Sequence, residues 1–350
     1  MAIDLFAGSG GLTLGLKRAG FSVVAAIEID PLAATTYRKN HPEVHVFEAD
    51  IRETTSRAVL RKAALRKGEL DLLAGCPPCQ GFSTLKTMNG AATVKDKRNN
   101  LVFEYLRFVR ELRPKAIMLE NVPGLANDRR MQKMSSELEK LGYECQFEIL
   151  DAQEYGVPQR RKRLILVGSL YGKTGFGRRT AKRKTVWQAF KGLSRRRRKD
   201  VLHTTDQNRS ARIKKLISLI PANGGSRSSL PQKMRLKCHL NSTGFKDVYG
   251  RMSWRNVAPT ITTGCVNPSK GRFLHPRANR AITLREAAVL QTFPRSYYFS
   301  LERGKFAAAE MIGNALPPEF IRRHALKIYR FLEKSDAYNR RNPGPKPHAA

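Results

Sequence analysis

Short apolar runs alternate with amphipathic stretches through the first half of the chain, and this rhythm predicts most of its elements. Residues 2–6 (AIDLF) make a run of strand length, followed by a glycine-rich turn and helical spacing to about Ala19. Further strands are predicted at Phe21–Ile29, Val44–Phe47 (closing at Asp50), Leu70–Ala74, Ala116–Leu119 (entering Glu120), Tyr143–Leu150 and Leu164–Val167. Helical spacing falls between them at Pro31–Asn40, Arg57–Lys67, Asn100–Leu112 and Met131–Leu141, with Pro31 suited to a first turn. Such regular alternation predicts an α/β fold built on a doubly wound, mainly parallel sheet.

Near residue 170 the rhythm breaks. Residues 200–280 carry turn-rich strings such as NGGSRSS, CHLNSTGF and NPSKGR, and only Arg209–Ile220 keeps clear helical spacing there. This stretch is expected to form a separate, loop-rich domain. Helical character returns at Leu284–Gln291 and after Pro317, and the polar, Pro-rich tail from Ser335 is expected to be disordered.

Charge adds a partner to this picture. Lys and Arg number 65 against 29 acids, a formal charge of +36, which calls for a polyanion. A generally basic, solvated surface is the plainer alternative. Between Tyr171 and Asp200 stand twelve basic residues and one acid, with the Arg195–Arg198 run among them. That run suits a phosphate-facing or solvated loop better than a base reader. The absence of any run of about 18 apolar residues argues against a membrane span. The 5 cysteines, scattered at 76, 79, 145, 238 and 265, suggest a reducing cytoplasm, and MAIDLFAGSG does not read as a secretory leader.

Candidate chemistry lies at the strand ends. In DLFAGSGGLTLG, Gly8, Gly10 and Gly11 let backbone approach a ligand where strand becomes helix. Glu28 is placed to hold ribose hydroxyls, and Asp50 an adenine amino group with Ile51 against the ring. NAD(P), FAD, S-adenosylmethionine or a merely tight turn all fit this much. Phe6, suited to pack on an adenosyl or methionine group, and Thr13, where a dinucleotide fingerprint wants glycine, favour S-adenosylmethionine.

The segment DLLAGCPPCQGFS drives a buried strand into a proline-stiffened loop, which puts Cys79 on the ligand side of the sheet. Cys76 and Cys79 also form a C-x-x-C, so zinc, redox and packing explanations stand beside a nucleophile. Glu120 ends the next strand; burial would raise its pKa and let it donate a proton, while a simple loop-capping acid is the default for one residue alone. Arg163, at the end of QRRKR, is placed to reach a carbonyl oxygen of a bound base.

In order, FAGSGG, EID, ADI, GCPPCQGFS, ENV, QRRKR, REAAVLQTFP and GNALPP resemble the motif series of the cytosine-C5 DNA methyltransferases, of bacterial restriction-modification or orphan type. The resemblance runs from residue 2 to about 334, except roughly 171–250. It implies a Rossmann-like, S-adenosylmethionine-dependent methyltransferase sheet with a smaller, loop-rich target-recognition domain. The catalytic and cofactor domain would comprise 1–180 plus 310–334, and target recognition with its hinge 181–309. Cys79 would add to C6 of a flipped-out cytosine, Glu120 would donate toward N3, Arg163 would hold O2 and Arg161 would support the same pocket. Gln80 and Ser83 would line the closing loop. Phe6, Glu28, Asp50, Pro78, Leu101 and Asn314 would contact S-adenosylmethionine; Ile29 stands where the family often has an aromatic stacked on adenine. Base readers are sought in Asn223–Ser229 and Asp247–Asn256. Duplex DNA is the implied partner of a monomer, a cognate restriction endonuclease a further one. A tRNA cytosine-C5 methyltransferase of the same fold, a non-enzymatic DNA-binding relative and a nicotinamide-dependent redox protein are the competing readings.

Overall fold

The computed structural model describes residues 1–78, 100–193, 200–204, 208–236 and 247–341, with 336–341 by backbone alone. Cys79, Gln80, Ser83, the Arg195–Arg198 run and the tail beyond 341 lie outside the described residues. The chain forms two compact units, one of residues 1–150, 162–178 and 320–350, the other of 151–161 and 179–319.

In the first unit, β1 (Ala2–Leu5), α1 (Gly11–Arg18), β2 (Val23–Glu28), α2 (Pro31–Asn40), β3 (His45–Glu48), α3 (Ser56–Lys62), β4 (Leu72–Gly75), α4 (Leu101–Leu112), β5 (Ala116–Asn121), α5 (Arg129–Lys140), β6 (Glu144–Asp151) and β7 (Lys162–Ser169) follow one another. The sheet order is β3-β2-β1-β4-β5-β7-β6. Pairings from β3 through β5 are parallel, and β7 runs antiparallel to β5. This is the mainly parallel layer that the alternation predicts. Strand order reverses between β1 and β4, so their carboxyl ends flank the crevice where open α/β sheets take ligands.

The central strands are buried on both faces, as parallel strands under helices are. Ile3, Leu5, Ile27, Leu73, Ile117 and Leu119 pack in one core with Tyr105, Phe108 and Val109 of α4 and Met131, Met134 and Leu138 of α5. Side-chain caps set two helix starts: Asp30 accepts from the Leu32 amide at 2.9 Å ahead of Pro31, and Asp128 from the Arg130 amide at 2.8 Å. The predicted Arg57–Lys67 helix is shorter, because the chain turns at Ala64 (φ 52°) after the Thr55 cap opens it.

The second unit contains α6 (Val186–Phe190), α7 (Ala211–Leu219), α8 (Leu284–Leu290) and α9 (Gly304–Asn314). Its strand contacts, among the described residues, are isolated bridges. Leu216, Ile217, Ile220, Leu230, Tyr249 and Leu274 form a small core. Arg251, only 1% exposed, binds the carbonyls of Ile217, Ile220, His275 and Ala278 and the Asn279 amide oxygen. It substitutes for the strand ladders that loops lack. Residues 151–161 and 310–319, expected with the sheet domain, cluster here instead. Gln159 donates to the Leu290 carbonyl at 3.2 Å, and Arg161 to the carbonyls of Ile261 (2.9 Å) and Gly313 (3.0 Å). The helix predicted after Pro317, α10 (Pro318–Arg341), continues beyond residue 334, where the sequence reading ends it.

Candidate active site

At the end of β1 the chain turns sharply into α1. Phe6 takes φ 60°, rare outside glycine, and Gly8 and Gly10 take 54° and 88°. A Cβ on Gly8 would meet nothing within 4 Å, so backbone conformation rather than crowding calls for glycine there. Strain at Phe6 is of order 1–2 kcal/mol, and such outliers gather where a turn must face a ligand.

Behind this turn lies a polar network that sequence reading did not single out. Asp4, fully buried, accepts from the Thr13 amide at 3.1 Å and its hydroxyl at 2.7 Å, and Thr13 Oγ1 lies 2.6 Å from the Tyr37 hydroxyl. Thr13 at the third fingerprint position thus has a reason: it holds an acid inside the sheet. Burial, the largest cause, pushes the Asp4 carboxyl up to about 8, with Glu28 adding repulsion. The signal was present in the sequence as a charged residue inside an apolar strand.

Glu28 is fixed through both carboxylate oxygens. The Gly8 amide donates to Oε2 at 2.7 Å and the Asp30 amide to Oε1 at 2.8 Å, so turn and strand end are tied together. Burial raises its pKa. A carboxylate has about four acceptor sites, so two amides leave capacity for hydroxyl donors. Ile29, 62% exposed, follows it. Asp50 is engaged by the Arg52 amide at 2.9 Å and by the Arg52 guanidinium, which lowers its pKa. Ile51 is buried in the core of the unit, with its carbonyl taken by Arg107 at 2.7 Å. Little of its side chain is left for a ring. Leu101 opens α4, half-buried against the same core. Asn314 ends α9 in the second unit and is exposed.

At β4 and β5 the geometry is tighter. Gly75 pairs with Leu119, so the next residues, Cys76 and Glu120, are in register across the two strands. Glu120 is 7% exposed, and its Oε1 lies 2.8 Å from Nε of Arg163, just inside β7. Arg163 also donates to the Lys162 carbonyl at 2.7 Å. The Asn121 amide donates to the Pro77 carbonyl at 3.0 Å, which ties the loop carrying Pro78 to β5. The structure therefore joins Glu120, Arg163 and the start of the PPCQ loop. Arg161, 3% exposed, spends its guanidinium on the two carbonyls of the second unit and serves as a brace.

The two loops searched for base readers meet within the second unit. Asn223, at φ 56°, accepts from the Trp254 amide at 2.8 Å and the Ser253 hydroxyl at 3.1 Å. Arg255 and Asn256 are exposed there, whereas buried Arg251 is structural.

Comparison with known proteins adds an independent finding. Residues 1–330 match the family described as C-5 cytosine-specific DNA methylase. The chain is 36% identical to the type II methylase M.HgiDII of Herpetosiphon aurantiacus over 346 residues, covering 95% of each. It is 33% identical to the type II methyltransferase M1.HphI of Haemophilus parahaemolyticus, covering 90% of the chain and 83% of that protein. Among solved structures, one described as a candidate DNA modification methyltransferase of an E. coli prophage superposes with a TM-score of 0.69 at 26% identity, covering 95% of this chain and 99% of that one.

Proposed function

Since the chain belongs to the C-5 cytosine-specific DNA methylase family and is a DNA cytosine-C5 methyltransferase, we propose that Cys79, Glu120 and Arg163 carry its chemistry. The observation that supports this most is the pair of buried Glu120 and half-buried Arg163 at 2.8 Å, set beside the strand that leads into the Cys79 loop. A carboxyl group and a guanidinium at one place match the N3 and O2 edge of cytosine, one donating a proton and the other holding the carbonyl.

C5 of cytosine is a poor nucleophile. Addition of the Cys79 thiolate to C6, with Glu120 donating toward N3, makes C5 enamine-like; once C5 has taken the methyl group, loss of the C5 proton and then of Cys79 restores the ring. An ordinary thiol with pKa of about 8.5 is only a few per cent thiolate at pH 7, so neighbouring arginines assist. The base must leave the duplex to be reached. Gln80 and Ser83 would close the loop over it.

S-adenosylmethionine, when bound, supplies the electrophilic sulfonium methyl. The fit rests on the turn at Phe6–Gly11 and on Glu28, whose carboxylate is held by two amides and keeps acceptor capacity for hydroxyls. Phe6, Gly8, Gly10, Gly11, Glu28, Ile29, Asp50, Pro78 and Leu101 are assigned to that site. Ile51 would support Asp50 from the core.

Residues 181–309 are assigned to target recognition, where exposed Arg255 and Asn256 are available to duplex DNA. The reading extends to a monomer in the cytoplasm beside a cognate restriction endonuclease. Its support is that similar proteins are named type II methylases, and that no helix among the described residues is long and apolar enough to cross a membrane.

The test is transfer of labelled methyl from S-adenosylmethionine to duplex DNA or to tRNA. Label should enter duplex DNA, and the Cys79→Ser protein should bind DNA yet transfer nothing. Undiminished transfer by that variant would overturn the mechanism, and label confined to tRNA the substrate.

A further inference from the structure

Cys76 has no place in the chemistry above, yet its backbone is held on both sides. Its amide donates to the Leu5 carbonyl at 3.2 Å, and the following residue, Pro77, is held through its carbonyl by Asn121 at 3.0 Å. The backbone is thus fixed on both sides, by β1 and by β5. The parallel register carries Gly75 opposite Leu119 and so Cys76 opposite Glu120. In that position the Cys76 thiol is within reach of the Glu120 carboxylate, which raises its pKa.

We infer that Cys76 is a positioning residue for the proton on Glu120: its S–H donates to the carboxylate from the β4 side while Arg163 grips it from the β7 side. The inference rests on the proposed role of Glu120 as proton donor.

The groups around this pair agree on the direction of the bond. Burial, then the negative charges of Glu120 and Asp4, push the Cys76 thiol up well above its ordinary value, with Arg163 opposing them; Tyr105 of α4 also faces it. A cysteine so placed stays S–H, and a thiol is a donor. It is also the wrong attacker, since nucleophilic sulfur is thiolate. Donation to the carboxylate favours its charged form. Removing the donor makes Glu120 hold its proton to higher pH, whereas a hydroxyl, a better donor than a thiol, does the reverse.

The experiment compares Cys76→Ala, Cys76→Ser and the natural chain with S-adenosylmethionine bound. The Glu120 carboxyl is titrated by carbon-13 NMR on glutamate-labelled protein, its signal identified by loss in Glu120→Gln, and kcat is followed against pH. The Ala variant should titrate higher by about half to one pH unit, with the alkaline limb of kcat moving the same way. The Ser variant should titrate at or below the natural chain. Coincident Glu120 titrations in all three proteins would overturn the inference, even if the Ala variant is less stable. Should the Ala variant fail to fold, the Ser variant alone decides: a titration above that of the natural chain is the contrary result. Failure of the underlying reading looks different, because Glu120→Gln would then transfer methyl at the natural rate.

Discussion

Asp4 and Glu28 are two acids on neighbouring strands of one sheet, and burial raises both. For Asp4 the rise, from 3.8 to about 8, has a measurable consequence. The folded state holds this proton more tightly than the unfolded chain, so the group's stabilising contribution is full below about 4 and is lost as pH climbs through 8. Asp4→Asn cannot ionise and keeps an oxygen to accept from Thr13. Relative to the natural chain, its unfolding free energy should improve by about 1–2 kcal/mol between pH 6.5 and 8. Urea denaturation at those two values checks this, and a constant difference would refute it. Arg163→Lys is a second test at this scale. Lysine keeps the charge but loses the planar fork, so methyl transfer should fall about 10²-fold or more, with cofactor affinity, measured by calorimetry, little changed.

At the scale of elements, the turns and braces set how strands become a site. Gly313 sits in the last turn of α9, and a Cβ there would lie 2.3 Å from the Thr262 carbonyl carbon and 2.4 Å from the Thr263 amide nitrogen. Alanine normally gains about 1 kcal/mol over glycine inside a helix. Here the neighbour is backbone and cannot swing aside, so overpacking outweighs propensity. Gly313→Ala should destabilise the protein by about 2–3 kcal/mol, seen as a lowered Tm, and should loosen the Gly313 carbonyl that Arg161 braces. The helix α9 was not legible beforehand because GKFAAAEMIGN has no apolar stripe to reveal it. By contrast, β1 through β5 and the helices between them were legible, since short apolar runs make strands buried on both faces and periodic apolar positions make the helices that cover them.

Across the whole molecule, charge and acid sensitivity follow from composition and burial together. Because the chain carries +36, phosphate contacts and counterion release should dominate its DNA affinity. Raising salt from about 50 to 200 mM should weaken duplex binding by about 10³-fold or more, while S-adenosylmethionine binding changes far less; fluorescence anisotropy and calorimetry read the two. Three histidines act on stability instead. Burial lowers His41 and His275 to about 4 and His324 to about 3. His324 Nδ1 already accepts from the Gly177 amide at 3.1 Å, so a proton there would face another donor. Groups with depressed histidine pKa stabilise the fold above about 6.5, and that contribution is lost as pH falls toward 4. Unfolding free energy should therefore fall across that acid window, with the Asp4 contribution, which grows as pH drops from 8 toward 4, offsetting part of the loss.

The order of strands and helices, the basic partner-seeking surface and the motif series were set by local sequence, because periodicity and turn chemistry act over a few residues. Glu28, Glu120 and Arg163 were legible as positions at strand ends. Pairing them was not: Glu120 meets Arg163 only because β7 returns antiparallel beside β5, and Cys76 meets Glu120 only through the β4–β5 register. Likewise Arg161, one of five residues in an unbroken QRRKR string, became a brace rather than a solvated charge because two carbonyls distant in sequence close over it. Burial and partners across strands are decided by the folded chain, and they set the direction in which the Asp4 and Cys76 pKa values move.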